Sequence, residues 1–233
     1  MGVPKDLLIQ PDRNSVRPEE LKAYDRVVGR QTFYGYSKGT PGYDFRPKGQ
    51  EAGPYFGVLL NAPLVADHLS ELGVYYRTRG EFPGSFSHAD REWVDIVLGE
   101  HLGFNMWGHI LDGVAVGVRP EAVYAVLEHR EGDLTEDERQ MAQYIRRLAD
   151  GALEASDWDF VQTKYGTRGA VEYSAWIAHL ITTIRLIQAF LANHSDSNEV
   201  LAARLRKFIT DGEQLPDPKA RVPKMEYEEP GAR

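Results

Sequence analysis

Cysteine is absent from the 233 residues of this chain. That excludes disulfides, thiolate metal sites and every mechanism built on a cysteine nucleophile or redox pair. No run of eighteen apolar residues occurs, so no membrane-spanning helix is expected. Basic charge is in the minority: the formal net charge is −8, with no basic stripe to offset it, which disfavours nucleic acid and anionic membrane as partners. Period-two alternation of β-branched residues is nearly missing, so strands are not expected. The opening "MGVPKDLLIQPDRN" lacks the basic-then-apolar layout of a signal peptide, and a cytoplasmic location is the expectation.

What is present is a foldable, helix-patterned composition. Hydrophobic residues make up 42% and aromatics 11%, enough for a sizeable core. Residues 1–55 are rich in Pro, Gly and charge and read as an extended arm, lying over the body or over a neighbouring subunit. Residues 56–210 read as one all-α domain and residues 211–233 as a loose tail. An arm of this kind could also cap a cavity through residues 30–55.

Within the helical region, "PLVADHLSELGVYYRTRG" sets Leu64, Leu69, Leu72 and Tyr76 at helical spacing, with Pro63 in the first turn. Ser87 and Asp90 have capping-box spacing, and Gly99 and Gly103 predict a break near 102–104. "NMWGHILDGVAVG" reads as a short helix ending at Gly117, and Pro120 opens another that stops at Gly132. Thr135 and Glu138 form a second capping box, with Gly151 as the stop. "SDWDFVQTKYG" is a short helix, and "SNEVLAARLRKFI" the last one. Between them "TRGAVEYSAWIAHLITTIRLIQAFLANH", apolar on most sides, reads as a long, central, buried helix.

The chemistry-bearing candidates cluster in residues 90–123. Glu92, Glu100, His101 and His109 punctuate an otherwise apolar pattern. Asn105 and His109 are four apart and would share one helical face, while Glu172 and His179, seven apart, share another. If those faces oppose one another, two helices enclose a polar pocket. His101 and His109 do not make a metal pair across a helix break, and His68 and His88 stand isolated, so no metal site is expected. The glycines near 84–108 follow no strand and precede no G-K-[ST], which excludes a phosphate loop.

The segments "NAPLVADHLSELGVYYR", "REWVDIVLGEHLGFNMWGHILDGVAVGVRPEAV", "LTEDERQMAQYIRRLADG" and "WDFVQTKYGTRGAVEYSAWIAHLITTIRLIQAF" resemble, in this order, the carboxymuconolactone decarboxylase family, whose fold is shared with alkyl hydroperoxidase D. The resemblance spans roughly residues 55–192. It implies an all-α bundle, a homo-oligomer (trimer or hexamer) and a small-molecule substrate. The hydroperoxidase branch carries two cysteines seven and four residues before a histidine; here Leu102 and Asn105 stand in those places before His109, so thiol peroxidase chemistry is excluded. The thiol-free branch has an aromatic residue and a glutamate there, matched by Phe104 and, with the acid lost, Asn105. The family's early glutamate matches Glu92, with Glu100 as the alternative.

This resemblance implies a lyase or isomerase that needs no cofactor and acts on a small carboxylated or lactone-like molecule. His109 would be the general acid–base and Glu92 its orienter; Asn105, Trp107, Phe104, Glu172 and His179 would line the substrate pocket. Arg91 and Arg119 are the nearest candidates to bind a carboxylate. The competing reading is a non-catalytic bundle that binds a small molecule or serves as an assembly partner, with His109 a hydrogen-bonded histidine between helices.

Overall fold

The computed structural model describes residues 9–33, 52–79, 85–190 and 196–216. Among the described residues, nine α-helices and short 3₁₀ turns account for the regular structure, and no strand occurs. The helices are α1 (Leu21–Phe33), α2 (Pro54–Leu59), α3 (Pro63–Arg79), α4 (His88–His101), α5 (Trp107–Val116), α6 (Pro120–Leu127), α7 (Glu136–Asp150), α8 (Ala155–Phe190) and α9 (Asn198–Thr210). None of the described helices is long and apolar enough to cross a membrane.

The chain divides into two compact units between Phe82 and Pro83. In the first, α1 packs along α3, and Arg26 reaches across to the buried carboxylate of Asp67. Residues 21–33 are therefore a helix inside the segment whose composition reads as an extended arm; residues 34–51 lie outside the described residues, and so does the greater part of the tail, 217–233. The boundary between the compact units falls well after residue 56, since α2 and α3 belong with α1 to the first unit. On α3 Ala66, Asp67, Ser70, Val74 and Tyr76 are buried, while Leu64 and Leu72 are exposed.

The second unit is built around α4. The Ser87–Asp90 capping box starts this helix. Eight of its residues are buried: Arg91, Glu92, Trp93, Val94, Ile96, Val97, Leu98 and Gly99. It packs on α5, α6, α7 and α8, so α4 is the element enclosed on most sides. The long helix α8 does not have that position. Its buried residues Ala170, Tyr173, Trp176, Ile177, Leu180, Ile184 and Ile187 form one stripe at three- and four-residue spacing, and Val171 on another side is 54% exposed. The short and the long helix expected over 156–190 are both present within α8, meeting at a kink at Gly166, whose φ of 69° and ψ of 172° are non-helical and readily adopted only by glycine.

Other stops follow local chemistry. At the end of α4, Gly103 takes φ 70° and the Phe104 N–H bonds back to the Gly99 carbonyl at 2.7 Å, closing the helix where a break was predicted. Gly117 and Gly151 end α5 and α7 in the same left-handed way, and the Thr135–Glu138 capping box opens α7. α6 ends at Leu127, five residues before the predicted Gly132, because His129 itself takes φ 54° and the Arg130 N–H returns to the Ala125 carbonyl.

Candidate functional site

Two helices place the site. α4 presents His88, Glu92 and Asp95 at i, i+4 and i+7, one face of the helix. α5 packs against α4 and brings up His109 in its first turn. The approach is close because residue 113, one turn beyond His109, is glycine: a Cβ there would lie 3.0 Å from Ile96 Cδ1 and 3.4 Å from Glu92 Cβ.

Glu92 is the hub. Its side chain is 6% exposed and both its oxygens are engaged: His109 Nδ1 donates to Oε2 at 2.9 Å, and His88 Nε2 donates to Oε1 at 2.9 Å. Asp95 Oδ2 lies 3.7 Å from the same His109 nitrogen. The His109 ring is 28% exposed, so one edge of the imidazole is bound while the rest meets the surface.

These contacts set the charges. Burial opposes protonation of His109, but the carboxylates of Asp95, Glu92 and Asp112 outweigh it and raise its pKa to about 9. Burial likewise opposes ionisation of Glu92. His109, the hydrogen bonds from both imidazoles and nearby Arg91 prevail, holding its carboxyl well below the usual range. At neutral pH the pair is therefore an imidazolium on a carboxylate, with Nδ1–H committed to Glu92. Glu92, Asp95 and His109 each also offer one donor atom within 4.8 Å of the others, a set able to hold a cation.

Of the two glutamates open for pairing with His109, Glu92 makes the contact. Glu100 instead faces Arg146 Nη2 at 3.1 Å and His129 Nδ1 at 3.5 Å, and His101 bonds Asp150. Asn105 does not share a helix with His109, because α5 begins at Trp107. Asn105 sits in the preceding link, buried, with its Nδ2 donating to Asn198 Oδ1 on α9 at 2.7 Å. Its own Oδ1 is buried without a hydrogen-bond partner. A Cβ on Gly99 would lie 2.7 Å from that oxygen, so residue 99 is glycine to admit the asparagine.

Trp107 is likewise packed on α9, edge-on to Phe208 with the Arg204 guanidinium 4.2 Å from its ring centroid. Phe104 is half-buried in the link. Glu172 is held by Arg168 one turn earlier on α8, and His179 stacks on Trp176. α8 packs mainly on α7 and, to a smaller extent, on α4. Arg119, a candidate carboxylate binder, is already paired bidentately with Glu138.

Sequence reasoning missed His88, Asp95 and Asp112. The signal was available as H-x₃-E-x₂-D along one helix; His88 looked isolated only because it was compared with other histidines and not with the glutamate one turn away. The chain matches no family model, no curated protein and no solved structure.

Proposed function

We propose that this chain is a proton-transfer enzyme of the lyase or isomerase type, acting on a small carboxylated or lactone-like molecule, with an all-α bundle similar to that of carboxymuconolactone decarboxylase. The observation that carries this reading is the 2.9 Å hydrogen bond from Nδ1 of a surface-reaching His109 to the buried, doubly anchored Glu92. A carboxylate on one ring nitrogen fixes the imidazole's orientation and stabilises its charged form, leaving the other nitrogen to serve a substrate. With its pKa raised to about 9, His109 is an acid at neutral pH.

Loss of carbon dioxide next to a conjugated carbonyl breaks a C–C bond and leaves its electron pair in a dienolate. His109 Nε2–H then protonates carbon, and the neutral imidazole, still donating Nδ1–H to Glu92, regains its proton from water. Proton transfer of this kind contributes about 100- to 10,000-fold.

Incubation with small unsaturated lactones and carboxylic acids in D₂O, read by mass spectrometry for carbon dioxide loss or deuterium uptake at carbon, tests the assignment. His109→Gln is expected to lower turnover at least about 100-fold with the fold and oligomer size retained. Undiminished turnover in that variant would remove His109 from the mechanism.

The second reading, an assembly or binding bundle without catalysis, is favoured by one observation: Asn105 and Trp107, placed in the substrate pocket by resemblance, are spent on packing against α9. Self-association into a trimer or hexamer belongs to both readings. The exposed Val171, Val200 and Ile209 offer apolar surface for it, and light scattering on the purified chain reads it directly.

A further inference from the structure

We infer that Glu92, Asp95 and His109 form a binding site for one divalent transition-metal ion of the manganese, iron or zinc class. The inference goes beyond the proton-transfer reading, since it gives the same side chains a second occupant.

Geometry comes first. Metal–oxygen and metal–nitrogen bonds of about 2.1 Å set neighbouring donors roughly 3.0 Å apart in octahedral and roughly 3.4 Å apart in tetrahedral coordination. His109 Nδ1 lies 2.9 Å from Glu92 Oε2 and 3.7 Å from Asp95 Oδ2, values that bracket those separations. All three donor atoms fall within 4.8 Å of one another. In the ion-free state the Nδ1–H proton occupies the direction along which the nitrogen lone pair would meet the metal.

The donor set is chemically selective. One imidazole nitrogen with two carboxylate oxygens suits a borderline divalent ion, and the absence of sulfur disfavours copper(I). Three protein donors leave positions open for water or substrate, the arrangement of reactive and not purely structural sites.

An independent feature supports the assignment. Glu92 Oε1 is bonded by His88 Nε2 at 2.9 Å, which orients the carboxylate so that Oε2 faces Asp95 and His109. Metal-binding carboxylates are held by such outer partners, whose loss typically weakens binding about 10- to 100-fold. Glu92 and Asp95 are also on a single rigid helix, with side chains 6% and 10% exposed, so little ordering remains for an ion to impose. Ion and Nδ1 proton are mutually exclusive, because that nitrogen has one lone pair. An occupied site therefore withdraws His109 from the proton delivery described above.

The test uses the full chain, stripped with chelator and titrated with Mn²⁺ and Zn²⁺ by calorimetry. One saturable ion per chain is expected. Asp95→Asn should weaken it at least about 10-fold, and His88→Ala by a similar or smaller factor. Asp137→Asn, remote from the cluster, should leave it unchanged. Should Asp95→Asn not fold, Mn²⁺ added to the wild-type chain should broaden the His109 ring resonances before those of His68 and His101.

Absence of a saturable one-to-one event, or equal binding by folded Asp95→Asn, overturns the site, as does broadening that does not favour His109. The proton-transfer reading fails separately: turnover measured in excess chelator would be indifferent to His109→Gln.

Discussion

At the scale of single residues, the site is a carboxylate shared by two imidazoles. The consequences for pH follow from the direction of each shift. His109 has a folded-state pKa of about 9 against 6.5 ordinarily, so its share of stability is complete below pH 6.5 and is lost as pH rises through 9. Glu92 is shifted down from 4.5, so its share is present above that value and is lost as pH falls below it. The pair therefore stabilises most between about pH 4.5 and 6.5 and weakens on the alkaline side. In chelator-treated protein, ring NMR should show His109 titrating with its midpoint near 9. Glu92→Gln keeps the shape and removes the charge. It should lower that midpoint, with Asp95 still acting to raise it, and cost about 3 kcal/mol in a denaturant titration run below pH 6.5, where a half-buried imidazolium is left without its nearest partner. A His109 midpoint unmoved by Glu92→Gln would show that the carboxylate does not set the ring's charge.

At the scale of elements, the distance between α4 and α5 governs that pairing, and Gly113 governs the distance. Adding a methyl there places it 3.0 Å from Ile96 Cδ1, closer than ordinary packing allows. Gly113→Ala improves intrinsic helix propensity by about 1 kcal/mol, yet it must push Ile96 aside or part the helices. If the helices part, the 2.9 Å contact lengthens and the His109 midpoint falls; the expected result is a lower midpoint with melting nearly unchanged. A midpoint that stays near 9 would mean that Ile96 yields and the helix spacing does not depend on the glycine.

The same scale shows what could be read from sequence. The two capping boxes, the Gly103 break and the Gly117 and Gly151 stops are local chemistry, and the structure has all of them. Asn105 lies outside the helix that its four-residue spacing from His109 predicts, because Met106 is the residue preceding the first turn. Nothing local distinguishes an asparagine facing a pocket from one bonded to Asn198, ninety-three positions away. The enclosed status of α4 was also hidden. Its buried Arg91 and Glu92 look like surface residues until their partners are known, whereas α8 is apolar in composition yet buries only one stripe.

At the scale of the whole molecule, the division between Phe82 and Pro83 concerns function as well as architecture, because His88, Glu92, Asp95 and His109 all lie in the second unit. Helical periodicity identified α3 and α4 as helices but carried no information about partners, so the resemblance placed them in one domain. The second unit has its own core, with Val94, Val97, Leu98, Val123, Val126, Ile145, Tyr173 and Ile177 fully buried or nearly so. It is also long enough to bury roughly two thirds of the surface its unfolded chain exposes. A fragment spanning Pro83–Asp217 is therefore expected to fold, showing helical circular dichroism, a single cooperative melt and a His109 midpoint near 9. If the fragment folds but its imidazole titrates at 6.5, then residues before 83 contribute to the electrostatics of the site, and the carboxylates of α4 and α5 are not sufficient to hold the charge. If it does not fold, the first unit is part of what stabilises the second, and the boundary is one of contact density and not of independence.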